Sequence, residues 1–310
     1  MSDKAVIMIS TGLRPWRKYT SLTFRRYCTK YDFDFHLVTD EKDLMGPCLA
    51  GLVQSEGRRN KHIYAGKSYI AWKFLQEKGY RRVAIVDDSC SIAPTCPDVF
   101  EAVPEGTLGG TQPPPSVARE SFDFIVRHRT AAMLPELNVK DYVRSGLLVY
   151  SRDIAGVIAP FEIEKHADLL NSPLPHQTLT YYLCKTHQYP IFSMDDMFLC
   201  LPKPEDPNQN RRLMHKVSVK QLRTGHAWAV SGVYRHRYLI VSDISIKLIR
   251  EWDKQCRGAA AAHTVYLINR IRRRCLWLGL WSLELGRRVR LVRWLYRTLG
   301  LSITPQRRVI

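Results

Sequence analysis

The segment Arg82-Val-Ala-Ile-Val-Asp-Asp-Ser runs four consecutive apolar residues straight into two adjacent carboxylates. An apolar run without polar alternation reads as a strand buried on both faces, and such strands belong to parallel sheets covered by helices. The acids then fall at the C-terminal end of the strand, the edge where open α/β sheets bind their ligands. The remaining pattern agrees with this constraint. Ala5–Ser10 is a β-leaning apolar run, Tyr19–Lys30 has helical spacing and Phe33–Val38 reads as a second strand. Ala65–Glu77 is a helix closed by Gly79. Further strands are predicted over 107–111 and 142–151. Helices are predicted over 122–134, after a break at Gln112-Pro-Pro-Pro, over Gln177–Thr186 and over Ser242–Asp253. Apolar runs over 191–201 and helix-like spacing over 259–299 complete the pattern, and no internal repeat is present.

With 310 residues and 45% apolar content, the chain has a globular composition and length enough for a core without disulfide staples. The formal charge of +18 is unevenly placed. Arg257–Ile310 holds 12 arginines, no lysine and one acid, Glu284, whereas the rest is mildly basic. The eight cysteines form no Cys-x-x-Cys pair and no zinc spacing, so they are expected to be free thiols in a reducing compartment. The start, Met1–Ser10, lacks signal-peptide character. The longest nearly uncharged apolar stretch, Cys275–Leu283, falls well short of the roughly 20 residues that span a bilayer.

Two clustered carboxylates repel one another unless a cation or hydrogen bonds hold them, and oxygen-rich clusters suit Mg²⁺ or Mn²⁺ bridging a phosphate. An acidic turn after a strand is the plainer reading of the same residues. The surroundings resemble glycosyltransferase family 8, of the GT-A fold. Helix 67–77, strand 82–86, Asp87-Asp88 and Ile92-Ala-Pro-Thr-Cys-Pro-Asp-Val-Phe100 follow the order of that family's Asp-x-Asp region. Arg144-Ser-Gly-Leu-Leu-Val-Tyr150 is similar to its Asn-(Ser/Ala)-Gly strand, and Pro175-His-Gln-Thr-Leu179 to its Asp-Gln segment. Phe198–Pro202 and Gly225–Gly232 are similar to its late strand and its closing His-x-x-Gly-type segment. The matches run in order over residues 5–235. Three positions depart from the pattern: Ser89 stands at the second metal aspartate, Arg144 at the Asn and His176 at the Asp before Gln177.

The resemblance implies a Rossmann-like, nucleotide-sugar-binding GT-A domain: a mixed sheet flanked by helices, followed by C-terminal amphipathic helices. It implies transfer of a sugar from a nucleotide donor, UDP-linked, to a glycan or glycolipid acceptor. Asp87 is then the leading metal or ribose contact, assisted by Asp88. The implied cofactor is Mn²⁺ or Mg²⁺, and the implied metal set is Asp87, Ser89 and His226, with His215 competing for the imidazole place. A hydroxyl such as Ser89 is a poor ligand beside a carboxylate, which puts the metal itself in question. Lys67 matches a basic residue facing the donor phosphate. Ser145, Gly146 and Gly232 match positions around the donor, and Gln177 the residue facing the reacting carbon. Gln177 is too weakly basic for general-base work and serves to orient. Ser10 and Thr11, after the first strand, are read either as a hold on base or ribose or as an ordinary turn. No Walker loop, Gly-x-Gly-x-x-Gly or Ser/His/Asp order is present.

The tail places Trp277, Trp281 and Trp294 among arginine clusters at three- and four-residue steps. That is an amphipathic pattern suited to an anionic lipid surface. A helical hairpin packed on the body is the competing reading, and the apolar content argues against a nucleic-acid arm. The expected organisation is a catalytic domain over 1–240 and a basic aromatic tail over 241–310, in a protein peripheral to the inner face of a membrane. Two other functions remain open at this point: a nucleotide-sugar-binding protein with a degenerate site, and a basic nucleic-acid-binding protein.

Overall fold

The computed structural model describes residues 2–12, 14–44, 61–130, 135–199, 222, 225–229, 237–257 and 271. Six strands form one sheet in the order β2-β1-β3-β6-β5-β7. They are β1 (Lys4–Ile9), β2 (Asp34–Val38), β3 (Arg82–Asp87), β5 (Leu108–Thr111), β6 (Leu147–Ser151) and β7 (Ile191–Met194). β1 pairs in parallel with β2 and β3, and β5 in parallel with β7. β6 runs antiparallel to both of its neighbours. The expected mixed sheet flanked by helices is thus present. A separate ribbon joins β4 (Cys90–Ile92) to β8 (Ala227–Ala229).

The two faces of the sheet bury different helices, which is why its central strands are apolar throughout. From β1, Ala5, Ile7 and Ile9 enter one core with Val83 and Ile85 of β3. That core is covered by α3 (Lys61–Gln76), through Ala65, Ile70 and Leu75, and by α6 (Pro175–Thr186), through Leu179 and Leu183. Val6, Met8, Ala84 and Val86 face the other way, against Phe24, Tyr27 and Cys28 of α1 (Arg17–Tyr31). The chain therefore leaves β1 for β2 on one side of the sheet and returns to β3 on the other. The short α2 (Glu41–Leu44) and α5 (Pro160–Lys165) both abut α3. The four described free thiols, Cys28, Cys90, Cys96 and Cys184, are all buried and act as small apolar side chains.

Several boundaries differ from expectation: the strand expected over 142–151 is β6, which begins only at Leu147, and the helix expected over 242–253 extends from Arg237 to Arg257. The helix expected over 122–134 is α4 (Pro115–His128), which begins at the last residue of the triple proline rather than after a break. Pro114 is its N-cap and Pro115 its first residue, a place where proline's fixed φ and missing N–H cost nothing. A division at 240/241 falls inside α7 (Arg237–Arg257). The apolar face of that helix, including Ile240, Val241, Ile244 and Leu248, closes a cluster with Trp16, Ala93 and Trp228, so α7 belongs to the body. Apart from Ile271, the helices expected over 259–299 lie outside the described residues. No described helix is long and apolar enough to cross a membrane.

Candidate active site

The order β2-β1-β3 contains a topological switch point: the chain departs from β1 in one direction and continues from β3 in the other. Such a point opens a crevice at the C-terminal strand ends. Ser10 and Thr11 follow β1 there, and Asp87 and Asp88 end β3, with Ile9 in register opposite Asp87. Because β6 is antiparallel, its N-terminal approach, Ser145-Gly146, reaches the same edge. The Asp87 N–H donates to the Gly146 carbonyl at 3.0 Å. A Cβ on Gly146 would lie 3.0 Å from Leu199 Cδ2, so a larger residue there would have to displace the end of the Leu199 side chain by a few tenths of an ångström.

The two adjacent acids have different surroundings. Asp87, the more open of the two, accepts from Lys67 Nζ, carried by the first half of α3. Asp88 points back across the switch point. Its Oδ2 accepts from Ser10 Oγ at 2.8 Å and lies 3.4 Å from Arg14 Nε. Burial pushes the Asp88 carboxyl above its ordinary value; Ser10 and Arg14 oppose the shift and the charge of Asp87 adds to it. Ser10 is thereby occupied: its hydroxyl serves Asp88, and its carbonyl accepts from Arg17 Nη1 at 3.1 Å. Of the expected pair, Thr11 lies at the same edge and is buried as well.

On the other side of Asp87, Ser145 Oγ donates to Gln177 Oε1 at 3.4 Å, joining β6 to the first turn of α6. The Gln177 Nε2 donor is buried and has no hydrogen-bond partner among the described residues. His176, beside it, is wholly enclosed. Its Nε2 lies 3.1 Å from Ser68 Oγ and 3.5 Å from Tyr150 OH, and Ser68 Oγ meets Thr180 Oγ1 at 3.3 Å. Burial, helped by the nearby charge of Lys67, holds this imidazole well below its ordinary value of 6.5, so it is neutral. The sign of the resulting stability effect is fixed. Below pH 6.5 the unfolded chain binds a proton that the folded chain refuses, so stability present above that value is lost on acidification. The limiting slope is about 1.4 kcal/mol per pH unit. Thermal melts of the wild type and His176→Gln, taken from about pH 7 to about pH 5, should show a flatter profile in the variant. Equal slopes would exclude His176 as the source.

The implied metal set is not gathered at one point. β8 pairs with β4 so that Ala229 lies opposite Cys90 and Ala227 opposite Ile92, and the Ala93 N–H donates to the His226 carbonyl at 2.7 Å. His226 thus sits four residues along the ribbon from Ser89, roughly 13 Å at about 3.3 Å per residue. It packs against Phe198, and burial lowers its pKa against the opposing charge of Asp195. Among the described residues no group of three His, Cys, Asp or Glu side chains could hold a metal ion. Asp87 already carries an ammonium, Asp88 is turned to Ser10 and Arg14, and Ser89 is a buried neutral hydroxyl. A divalent ion about 4 Å from the Lys67 ammonium would be repelled by roughly 8 kcal/mol at an effective dielectric near 20. Withdrawal of Lys67 would strand a side chain that is 9% exposed without its carboxylate. This donor set does not fit Mg²⁺ or Mn²⁺. Gly232 and His215 lie outside the described residues.

Residue-level reading missed Arg14 and Arg17. Their signal was a basic run, Arg14-Pro-Trp-Arg-Lys18, directly after the Ser-Thr-Gly turn of β1. A cavity of about 880 Å³ opens beside Tyr182, Lys185 and Ile191, the last on the edge strand β7. It takes no part in this site.

No protein-family profile matches the chain, and no curated protein does. Solved structures do. Mouse xyloside xylosyltransferase 1, in its apo form, is similar at 11% identity over 64% of this chain and 88% of that one, with a TM-score of 0.41. A glycosyltransferase involved in glycosylation of the major capsid of PBCV-1 is similar at 12% identity, over 76% of this chain and 98% of its own, with a TM-score of 0.43. The galactosyltransferase LgtC, in complex with donor and acceptor sugar analogues, is similar at 12% identity over 84% of this chain and 95% of that one, with a TM-score of 0.43. Each is a likeness of outline at low identity.

Proposed function

We propose that the chain is a glycosyltransferase that takes a sugar from a nucleoside diphosphate donor, UDP-linked, and passes it to a glycan or glycolipid. The observation that carries this reading is the crevice at the β1/β3 switch point. There a lysine-paired Asp87, the Ser145-Gly146 backbone and the Gln177 Nε2 donor, which has no partner among the described residues, converge on one edge. Breaking the bond between the sugar and its diphosphate builds negative charge on the leaving oxygen. Fixed cations at that point stabilise the transition state more than the ground state. Lys67 and Arg14 are placed to do so from opposite sides of Asp87-Asp88. Asp87 fixes the Lys67 ammonium and offers its second oxygen to the donor. The Gln177 Nε2–H orients a sugar hydroxyl without moving a proton.

The test is release of nucleoside diphosphate from UDP-, GDP-, CDP- and TDP-sugars by the full chain, with and without simple glycoside acceptors, against Asp87→Asn. Acceptor-stimulated release from one donor class, lost in the variant, is the expected outcome. Absence of both binding and release across all four classes would sink the reading. Binding without release would instead favour a sugar-nucleotide-binding protein.

The arginine- and tryptophan-rich segment 258–310 supports a place for this chemistry at an anionic membrane surface. Flotation of the full chain with phosphatidylglycerol vesicles at low salt, released at high salt, is expected. Equal flotation with zwitterionic vesicles, or none, would remove the membrane from the proposal.

A further inference from the structure

Three departures from the glycosyltransferase family 8 pattern lie at or behind the walls of this crevice, and all shift its charge in the same direction. Ser89 replaces an acid with a hydroxyl. His176 replaces an acid with an imidazole that its enclosure keeps neutral. Arg144 replaces a neutral amide with a guanidinium. The geometry shows what each change does. Lys67 sits close enough to His176 for its charge to be felt there, yet its ammonium is bound to Asp87. An acid at position 176 would compete for that ammonium across the α3–α6 contact. A neutral imidazole held by Ser68 and Tyr150 does not. With Ser89 neutral, Asp88 is the only remaining neighbour of Asp87 in the acidic turn, and it is drawn away by Ser10 and Arg14. Arg144 is anchored to this edge by its N–H on the Thr111 carbonyl at 2.7 Å and its Nη1 on the Leu199 carbonyl at 3.2 Å. Arg17 adds a further cation through the Ser10 carbonyl.

Resting on the glycosyltransferase reading, we infer that side-chain cations (Lys67 and Arg14 in contact with the acids, Arg17 and Arg144 behind them) hold the donor diphosphate in place of a divalent metal ion. The charge a divalent cation would bring is built into the chain. Guanidinium and ammonium groups donate to phosphate oxygens directly, with directional, charge-assisted hydrogen bonds. Such a site needs no free ion to be complete, and it gains nothing from one.

The experiment is calorimetric titration of the full chain with UDP, and with GDP, CDP and TDP, in chelator and then in excess Mn²⁺. The expected result is binding of one nucleotide with dissociation constants that agree within about twofold in the two conditions. Tightening by about tenfold or more in Mn²⁺ would overturn the inference and leave the glycosyltransferase reading standing. No binding of any nucleotide in either condition would overturn both. A double variant, Ser89→Asp with His176→Asp, restores the two acids and should acquire a Mn²⁺ response of about tenfold. A folded double variant that stays indifferent to Mn²⁺ would show that these two positions do not decide the matter. If the variant does not fold, the wild-type titrations alone decide.

Discussion

If the chain is the proposed glycosyltransferase, Lys67→Met should lower turnover of the nucleotide sugar by about two to three orders of magnitude, the range seen when one preorganised donor to a developing oxyanion is removed. The substitution keeps the length and apolar stem of the side chain, so the α3 face that packs on the sheet is unchanged. What is lost is the ammonium at Asp87, in a place where the Lys67 side chain is only 9% exposed. Low exposure means that solvent does not take over the lost role. The effect should fall mainly on kcat, because the charge Lys67 meets grows as the leaving diphosphate departs. Nucleotide affinity should fall by a smaller factor, since Arg14 and Arg17 remain. Lys67→Arg keeps the charge in a different shape and should recover part of the rate. Steady-state kinetics of the three proteins, with circular dichroism to confirm folding, settle the point. A fall in kcat below about threefold in the methionine variant would mean that the ammonium does no more than neutralise Asp87.

How far the sequence disclosed this site depends on the kind of interaction. β1 and β3 were legible because a strand buried on both faces has no choice of composition, and the charged residues after each run mark its end. Their position at one edge follows from parallel pairing. The direction of β6 was not legible, since an apolar strand reads the same in either orientation. It is this reversal that brings Ser145-Gly146 to Asp87. The start of α4 was hidden because proline breaks a helix interior yet suits its first turn, and residue type alone does not say which.

Charge partners were the least legible feature. Lys67 and Asp87 are twenty residues apart, and Ser10 and Asp88 seventy-eight. Each pair is made by the switch in strand order rather than by local spacing. The neutrality of His176 likewise depends on an enclosure built from α3, β6 and α6 together. The resemblance proposed Asp87, Ser89 and His226 as neighbours. The β4–β8 register, which no composition encodes, sets His226 at the far end of the ribbon. Most of the +18 charge therefore lies in an arginine-rich C-terminal segment, and the mildly basic remainder includes the four cations at the crevice.

Trp252→Ala should be the most destabilising single change in α7, at about 3–5 kcal/mol. Trp252 is 3% exposed and fills the core face shared by α1 and the β4 ribbon. Its Nε1–H donates to the Ile92 carbonyl at 3.1 Å, so truncation leaves both a cavity and a buried acceptor without its donor. Neighbouring contacts do not compensate, because they hold the helix end rather than fill the space. Arg26 reaches the Ile249 carbonyl at 2.8 Å and the buried Asp253 at 2.7 Å. At about 2–4 °C per kcal/mol for a domain of this order of size, the melting temperature should drop by on the order of 10 °C. The same physics decides where the body ends. If α7 were an appendage, Trp252→Ala would leave melting and nucleotide binding unchanged. As the lid of the core beside β4, it should weaken the strand that directly follows Asp87-Asp88-Ser89. If the crevice binds a nucleotide as proposed, its affinity should then fall together with stability, even though Trp252 touches none of the site residues. A melting temperature within about 2 °C of the wild type would return α7 to the tail.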